Sequence, residues 1–311
     1  MEEHEAQLST LFDVEDFDAV IEEVRTIAST VFPGYDLEPF DNACDDVVRL
    51  FRGDYPGYRA CNVSYHDLRH TLAVTLAMAR LMHGAVETGR ELSEKDFTMG
   101  LVSALMHDTG YMQEDDDLEG TGAKYTLVHI ERSIDFVRRY YADDPLFGND
   151  LDAFRDILRC TGLSVSIGDI RFADETVELL GKILGTGDLL GQMADRVYLE
   201  KLLDLYNEFV EGGINQFSNR LDLLDKTRGF YQMTLKRFAD DFDNVDRFAR
   251  HHFRARWDID EDLYRKAIEH NLAYLDFVVT NHRDDYRDWL RRTIHVKEIN
   301  NATGKSAEAF F

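Results

Sequence analysis

The chain has 311 residues, 44% of them hydrophobic, and a formal net charge of -25. That apolar content fills a sizeable core, and the length suits one large helical domain with terminal additions. So acidic a chain repels phosphate backbones and anionic lipid, so neither nucleic acid nor membrane is an expected partner, and an anionic ligand would need a local cation.

Residues 1–15 are acidic and weakly patterned and read as a loose leader, with neither the basic n-region nor the apolar h-region of a signal peptide. No apolar run approaches membrane-spanning length, so the expected compartment is cytoplasmic. Over residues 16–32, Val20, Ile21, Val24 and Ile27 recur at helical spacing, and Pro33-Gly34 stops the helix they predict. A second helix is expected over 40–51, then a loop over 52–63 with Gly53, Pro56 and Gly57. Ser64 is a good N-cap and Asp67 follows three residues on. A helix is therefore expected to start at Ser64 and to carry His66 and His70, four residues apart, on one face. Behind them Leu72, Val74, Leu76, Ala77, Met78, Leu81 and Met82 are apolar nearly all round, the mark of a buried helix.

Ser93-Glu94-Lys95-Asp96 is a capping-box pattern opening a helix through Phe97, Leu101, Val102 and Leu105. It should end at His107-Asp108-Thr109-Gly110, with Gly110 as C-cap. An acidic loop follows over 113–124, then a helix over 125–141 with the stripe Leu127, Ile130, Ile134 and Val137, closed by Pro145. Helices are expected over 150–161 and 173–184, with Gly185-Thr186-Gly187 introducing a long helix over 188–209. Residues 219–292 read as three or four more, and the small, polar tail 300–311 should fray. The expectation is an all-α, multi-helix bundle in one domain over 16–299. Cys44, Cys61 and Cys160 show no CxxC spacing and are expected as reduced, buried thiols.

His66, His70, His107 and Asp108 are the chemistry-bearing group. Imidazole nitrogen with carboxylate oxygen suits Zn, Mn or Fe, and carboxylate with water suits Mg. A lone histidine on an apolar helix is more often a core residue. The His107-Asp108 doublet differs, because it follows Ala104-Leu105-Met106 at a helix end, where a buried carboxylate is costly unless paired or bound to a cation. His83, His270, His282 and His295 lack a supporting carboxylate pattern, and the neighbours His251-His252 point apart on a helix. Gly120-Thr121-Gly122-Ala123-Lys124 lacks the strand and spacing of a phosphate loop.

Tyr65-His66-Asp67-Leu68-Arg69-His70-Thr71 resembles the Tyr-His-Asn-x-x-His-Ala motif of the cyclic nucleotide phosphodiesterase branch of the HD-domain metal-dependent phosphohydrolases. Ala104-Leu105-Met106-His107-Asp108 resembles the signature His-Asp doublet, and Gly187-Asp188-Leu189 the later Ala-Asp-Leu. Order and spacing agree across residues 60–210. The resemblance implies a bundle of the HD/phosphodiesterase type with one or two divalent ions (Mg, Mn, Zn or Fe). Under it His70, His107, Asp108 and Asp188 would be ligands of the first ion, and Asp108 would bridge to a second ion or to the attacking water. His66 would be the general acid protonating the leaving alkoxide, oriented by Asp67 or another carboxylate. His129 lies in what resembles the next histidine-bearing helix and would support the ligands or serve a second ion. Lys124 and Arg132 flank it as candidate phosphate contacts, although solvated cations are the commoner case. The chain departs from the pattern at Thr109-Gly110-Tyr111, where the phosphodiesterases carry a further histidine. It departs again at Thr126, in place of a glutamate, and at Thr227-Arg228-Gly229-Phe230, where the purine-reading Gln is missing.

Metal ions neutralise a phosphodiester's charge and acidify bound water, and an imidazole can donate the proton that a poor leaving group needs. The expected function is a metal-dependent phosphohydrolase acting on a small-molecule phosphoester, a nucleotide or cyclic nucleotide among them. The alternatives are a di-iron oxygenase on the same scaffold and a non-catalytic, metal-bound sensor or interaction module.

Overall fold

Helix α4 (Leu68–Glu87) is buried at every position from His70 to Ala85, so the rest of the chain must wrap it on all sides. The computed structural model describes residues 7–11 and 16–290. Around α4 pack α2 (Phe17–Val31), α5 (Glu94–Met106), α8 (Glu175–Met193) and α11 (Phe248–Trp257), with α3 (Glu38–Arg52) behind α5. Helices α6 (His129–Tyr140) and α7 (Leu151–Arg159) extend the bundle from α5 towards α8. α9 (Tyr198–Glu211), α10 (Arg220–Asp240), α12 (Leu263–Asn281) and the short α13 (Tyr286–Leu290) close the other side. One further helical turn, α1 (Leu8–Leu11), lies in the segment expected to be a loose leader and touches α12. The protein is all-α, as expected: among the described residues there is no strand, only an isolated bridge between Tyr58 and Glu114. No described helix is long and apolar enough to cross a membrane. The tail 300–311 lies outside the described residues, as do residues 291–299 of the expected domain.

Local signals explain most of the boundaries. Ser93 and Asp96 form the expected reciprocal capping box on α5, and α2 ends just before Pro33-Gly34. Several expectations need correction. α5 is capped at His107, with Gly110 inside the 3-10 turn that follows, and Cys61 is partly exposed where a buried thiol is expected. α4 starts at Leu68 rather than Ser64: its N-cap is Asp67, whose carboxylate accepts the His70 N–H at 2.9 Å. His66 therefore lies ahead of the helix, not on it. The helix expected from 125 begins at His129, after a 3-10 turn over Gly122–Tyr125. The break expected at Gly185-Thr186-Gly187 is absent, since α8 runs unbroken to Met193 and the chain turns between 193 and 198. A glycine inside a helix costs roughly 1 kcal/mol against alanine. Here close packing outweighs that cost, because a Cβ on Gly185 would stand 2.5 Å from the Cys160 carbonyl oxygen and 2.6 Å from the Phe242 ring.

Candidate metal centre

Four segments deliver side chains to one point beside the N-terminal end of α4. His70 comes from its first turn, and His107 and Asp108 from the end of α5. Asp188 comes from the middle of α8, and His129 from the first residue of α6. His107 caps α5, and its Nδ1–H donates to the Ala104 carbonyl at 2.7 Å, which leaves Nε2 as the bare nitrogen. That Nε2 lies 3.3 Å from His70 Nε2 and 3.1 Å from Asp108 Oδ2. His70 Nε2 is 3.3 Å from Asp108 Oδ2 and 3.3 Å from Asp188 Oδ1, and Asp188 Oδ1 is 3.9 Å from His107 Nε2. Ligands held at about 2.1 Å from one ion stand roughly 3.0–3.4 Å apart in octahedral or tetrahedral geometry, so the separations among His70, His107 and Asp108 fit a shared ion, while the 3.9 Å from Asp188 to His107 is wider. His70, His107 and Asp108 all offer atoms within 4.8 Å of one another. Asp188 joins the group through the two imidazoles.

Asp108 supplies the strongest test of fit. Its Oδ2 is buried, and beside it stand only the His107 and His70 imidazole nitrogens at 3.1 and 3.3 Å, an expensive place for a carboxylate unless a positive charge, on an imidazole or on a metal ion, meets it. Burial alone would raise its pKa, but His107 and His70 outweigh burial and hold it well below the usual carboxylate range. Burial opposes a charge on His70, yet Asp108 and Asp188 overcome it and bring the imidazole up to about 10. Two imidazoles and a buried carboxylate are a donor set that suits a divalent ion. The buried group of His70, His107 and Asp108 could hold one.

Access is one-sided. His66, Asp188 and His129 keep 15, 15 and 19% of their side-chain area exposed, while His70, His107 and Asp108 keep no more than 4%. The mouth therefore lies among the first three. His129 donates from Nδ1 to the Thr126 carbonyl at 2.7 Å and turns its other nitrogen towards Asp108 Oδ1, 3.8 Å away. Burial lowers the His129 pKa, against the pull of Asp108, so the ring is neutral. His66 is held through Nδ1 by Glu208 Oε2 at 2.6 Å. The Tyr111 ring is stacked between His66 and His129, with centroids 4.4 and 4.6 Å away, at the position where the resembled family carries a histidine.

The remaining expected residues serve other contacts. Asp67 caps α4 and pairs with Lys201 Nζ at 2.8 Å, and it is Glu208, not Asp67, that orients His66. Lys124 is bonded to Asp117 and to the Glu119 carbonyl. Arg132 donates to the carbonyls of Gly110 at 2.7 Å and Met112 at 2.8 Å, clamping the turn that follows the His107-Asp108 doublet. Glu208 and Gln192 are not among the residues singled out from the sequence, and Tyr65 enters there only as the first residue of the histidine motif. The available signals were slight: an acid among Leu202, Leu205 and Phe209 on an amphipathic helix, and an amide four residues after Asp188.

Fold and site together define an all-α protein with a buried histidine–aspartate group that could hold a metal ion. A family model described as Npun_R2479-like matches residues 57–250, and the chain belongs to that family. The matched span contains every residue of the site. No curated protein matches the chain.

Proposed function

We propose that this protein is a metal-dependent phosphohydrolase of the HD type. The observation that carries the reading is the convergence of His70 Nε2, His107 Nε2, Asp108 Oδ2 and Asp188 Oδ1 beside a histidine whose far nitrogen is anchored by a buried glutamate. A divalent ion bound there would neutralise phosphoester charge and acidify its water. His70, His107, Asp108 and Asp188 are the residues that would hold it. With Nδ1 on Glu208, His66 has Nε2 left to hand a proton to the leaving alkoxide. Asp108 Oδ1 and the bare nitrogen of His129, 3.8 Å apart, are the groups that would orient the attacking water. Tyr111, stacked on both imidazoles, keeps the two rings from turning and keeps bulk water from between them.

Metal analysis, followed by a panel of phosphodiesters, phosphomonoesters and nucleotides, tests the proposal. Replacing His66 by alanine is expected to leave ion content and melting temperature near wild type and to lower turnover by about 10²–10⁴. A wild-type protein loaded with one equivalent of Mn, Mg, Zn or Fe that hydrolyses none of the panel would end the reading. The position of His129, 3.8 Å from Asp108 Oδ1, favours a second reading, a di-iron oxygenase in which Asp108 and His129 would help to hold a second ion. Two irons per chain with substrate-dependent oxygen consumption would select it.

A further inference from the structure

Tyr65 is buried and bonded at both ends. Its backbone N–H donates to Glu208 Oε1 at 2.6 Å, and the other oxygen of that carboxylate holds His66 at 2.6 Å. Its hydroxyl lies 2.6 Å from Gln192 Oε1, and Gln192 Nε2 lies 3.2 Å from Asp188 Oδ1 and 3.2 Å from the Asp188 carbonyl. The polarity of this relay is forced. An ionised Asp188 only accepts, so the amide NH2 must face it. The amide oxygen then faces Tyr65, which must donate. Burial pushes the Tyr65 hydroxyl well above its ordinary range, so it stays a donor at any working pH.

Asp188 is the one expected metal ligand at the mouth, where water competes for its oxygens. It stands 3.3 Å from His70 but 3.9 Å from His107, and it falls outside the set of His70, His107 and Asp108, whose atoms all lie within 4.8 Å of one another. We infer that Tyr65 and Gln192 are positioning residues that hold Asp188 in ligand position and, through Glu208, keep His66 in register with it. The inference rests on the metal reading of the site and not on the hydrolase reading. Partners one bond removed from a ligand typically change ion affinity by about 10–100-fold.

The test is titration of metal-free protein with Co(II), read by its visible absorption, and with Zn(II) by calorimetry. The variants are Tyr65→Phe, Gln192→Leu and the pair together. Tyr35→Phe is the control, since it removes a buried hydroxyl bonded to Thr98, away from the site. Each site variant is expected to bind about 10–100-fold more weakly. The double variant should bind no more weakly than the worse single, because the two residues act in series. The metal-free melting temperature of Tyr65→Phe should fall no further than that of the control. Wild-type binding with both single variants within about twofold of it would overturn the inference alone, as would losses that multiply in the double. A wild type that takes up no ion would overturn both the inference and the metal reading. If Tyr65→Phe does not fold, Gln192→Leu decides.

Discussion

Asp108 Oδ2 is buried and faces two imidazole nitrogens at 3.1 and 3.3 Å. Asp108→Asn keeps the volume and removes the charge that balances a cation. It is expected to weaken divalent-ion binding by at least about 100-fold, measured on metal-free protein. Glu208 acts one step further out. Glu208→Gln would lose the charge beside His66 and could set an amide N–H against the imidazole N–H. Turnover on any substrate found should fall on the order of 10–100-fold while ion content stays at wild type. A parallel loss of the ion would assign Glu208 to the ligand framework instead. The group of His70, His107 and Asp108 that could hold an ion was legible from the sequence because chemistry and neighbours coincide there: an adjacent histidine and aspartate after an apolar run, and a histidine in the first turn of a buried helix. Glu208 was not, since nothing near it in the chain says that it meets His66, and only the turn between α8 and α9 brings it round. Gln192 sits four residues after Asp188 on α8, a helical spacing too common to single it out.

The elements show where short-range signals succeed. The Ser93–Asp96 box is a local hydrogen-bonded unit, so its spacing was sufficient to place α5. Two competing caps stand before α4, and the one nearer the first ligand forms, which moves His66 off the helix. The glycines in α8 suggested a stop, because in isolation they weaken a helix, but their use is close approach. Gly110 is the sharpest case. A Cβ there would lie 1.9 Å from the His129 carbonyl oxygen, and its N–H donates to Ser133 Oγ at 2.9 Å, so α6 rests directly on the turn after Asp108. Gly110→Ala should destabilise by about 2–4 kcal/mol in urea unfolding and weaken ion binding as well. Between α4 and α11 the structure contains a pair that the sequence reading dismissed: His83 and His252, with Nδ1 atoms 3.1 Å apart. Burial lowers the pKa of both. Glu87 partly opposes this at His83, and Arg80 and Arg256 reinforce it at His252. The folded pair therefore stays neutral where the unfolded chain takes up protons, below about pH 6.5. Their contribution is complete above that pH and is lost as pH falls. His252→Gln should flatten the fall in stability between pH 6.5 and 5.5 by about 1 kcal/mol relative to wild type, read from urea midpoints.

For the whole molecule, the distances along the chain matter more than those across the site. His66 and Glu208 are 142 residues apart, Tyr65 and Gln192 are 127, and His70 and His107 are 37. Closing such long loops is entropically unfavourable, so contacts of this range tend to form late in folding. Of the helices that pack on α4, α2 and α5 are its near neighbours in the chain, whereas α8 and α11 are distant, and Asp188 reaches His70 only once α8 has docked. An ion present at 100 times its dissociation constant stabilises the native state by about 2.7 kcal/mol. If the ligands meet only after the barrier, all of that gain appears on one side of it. Stopped-flow refolding should run at the same rate with or without Mn(II) or Zn(II), while unfolding in denaturant slows about 100-fold. The ion would then act as a latch, closing behind a chain that has already found its shape.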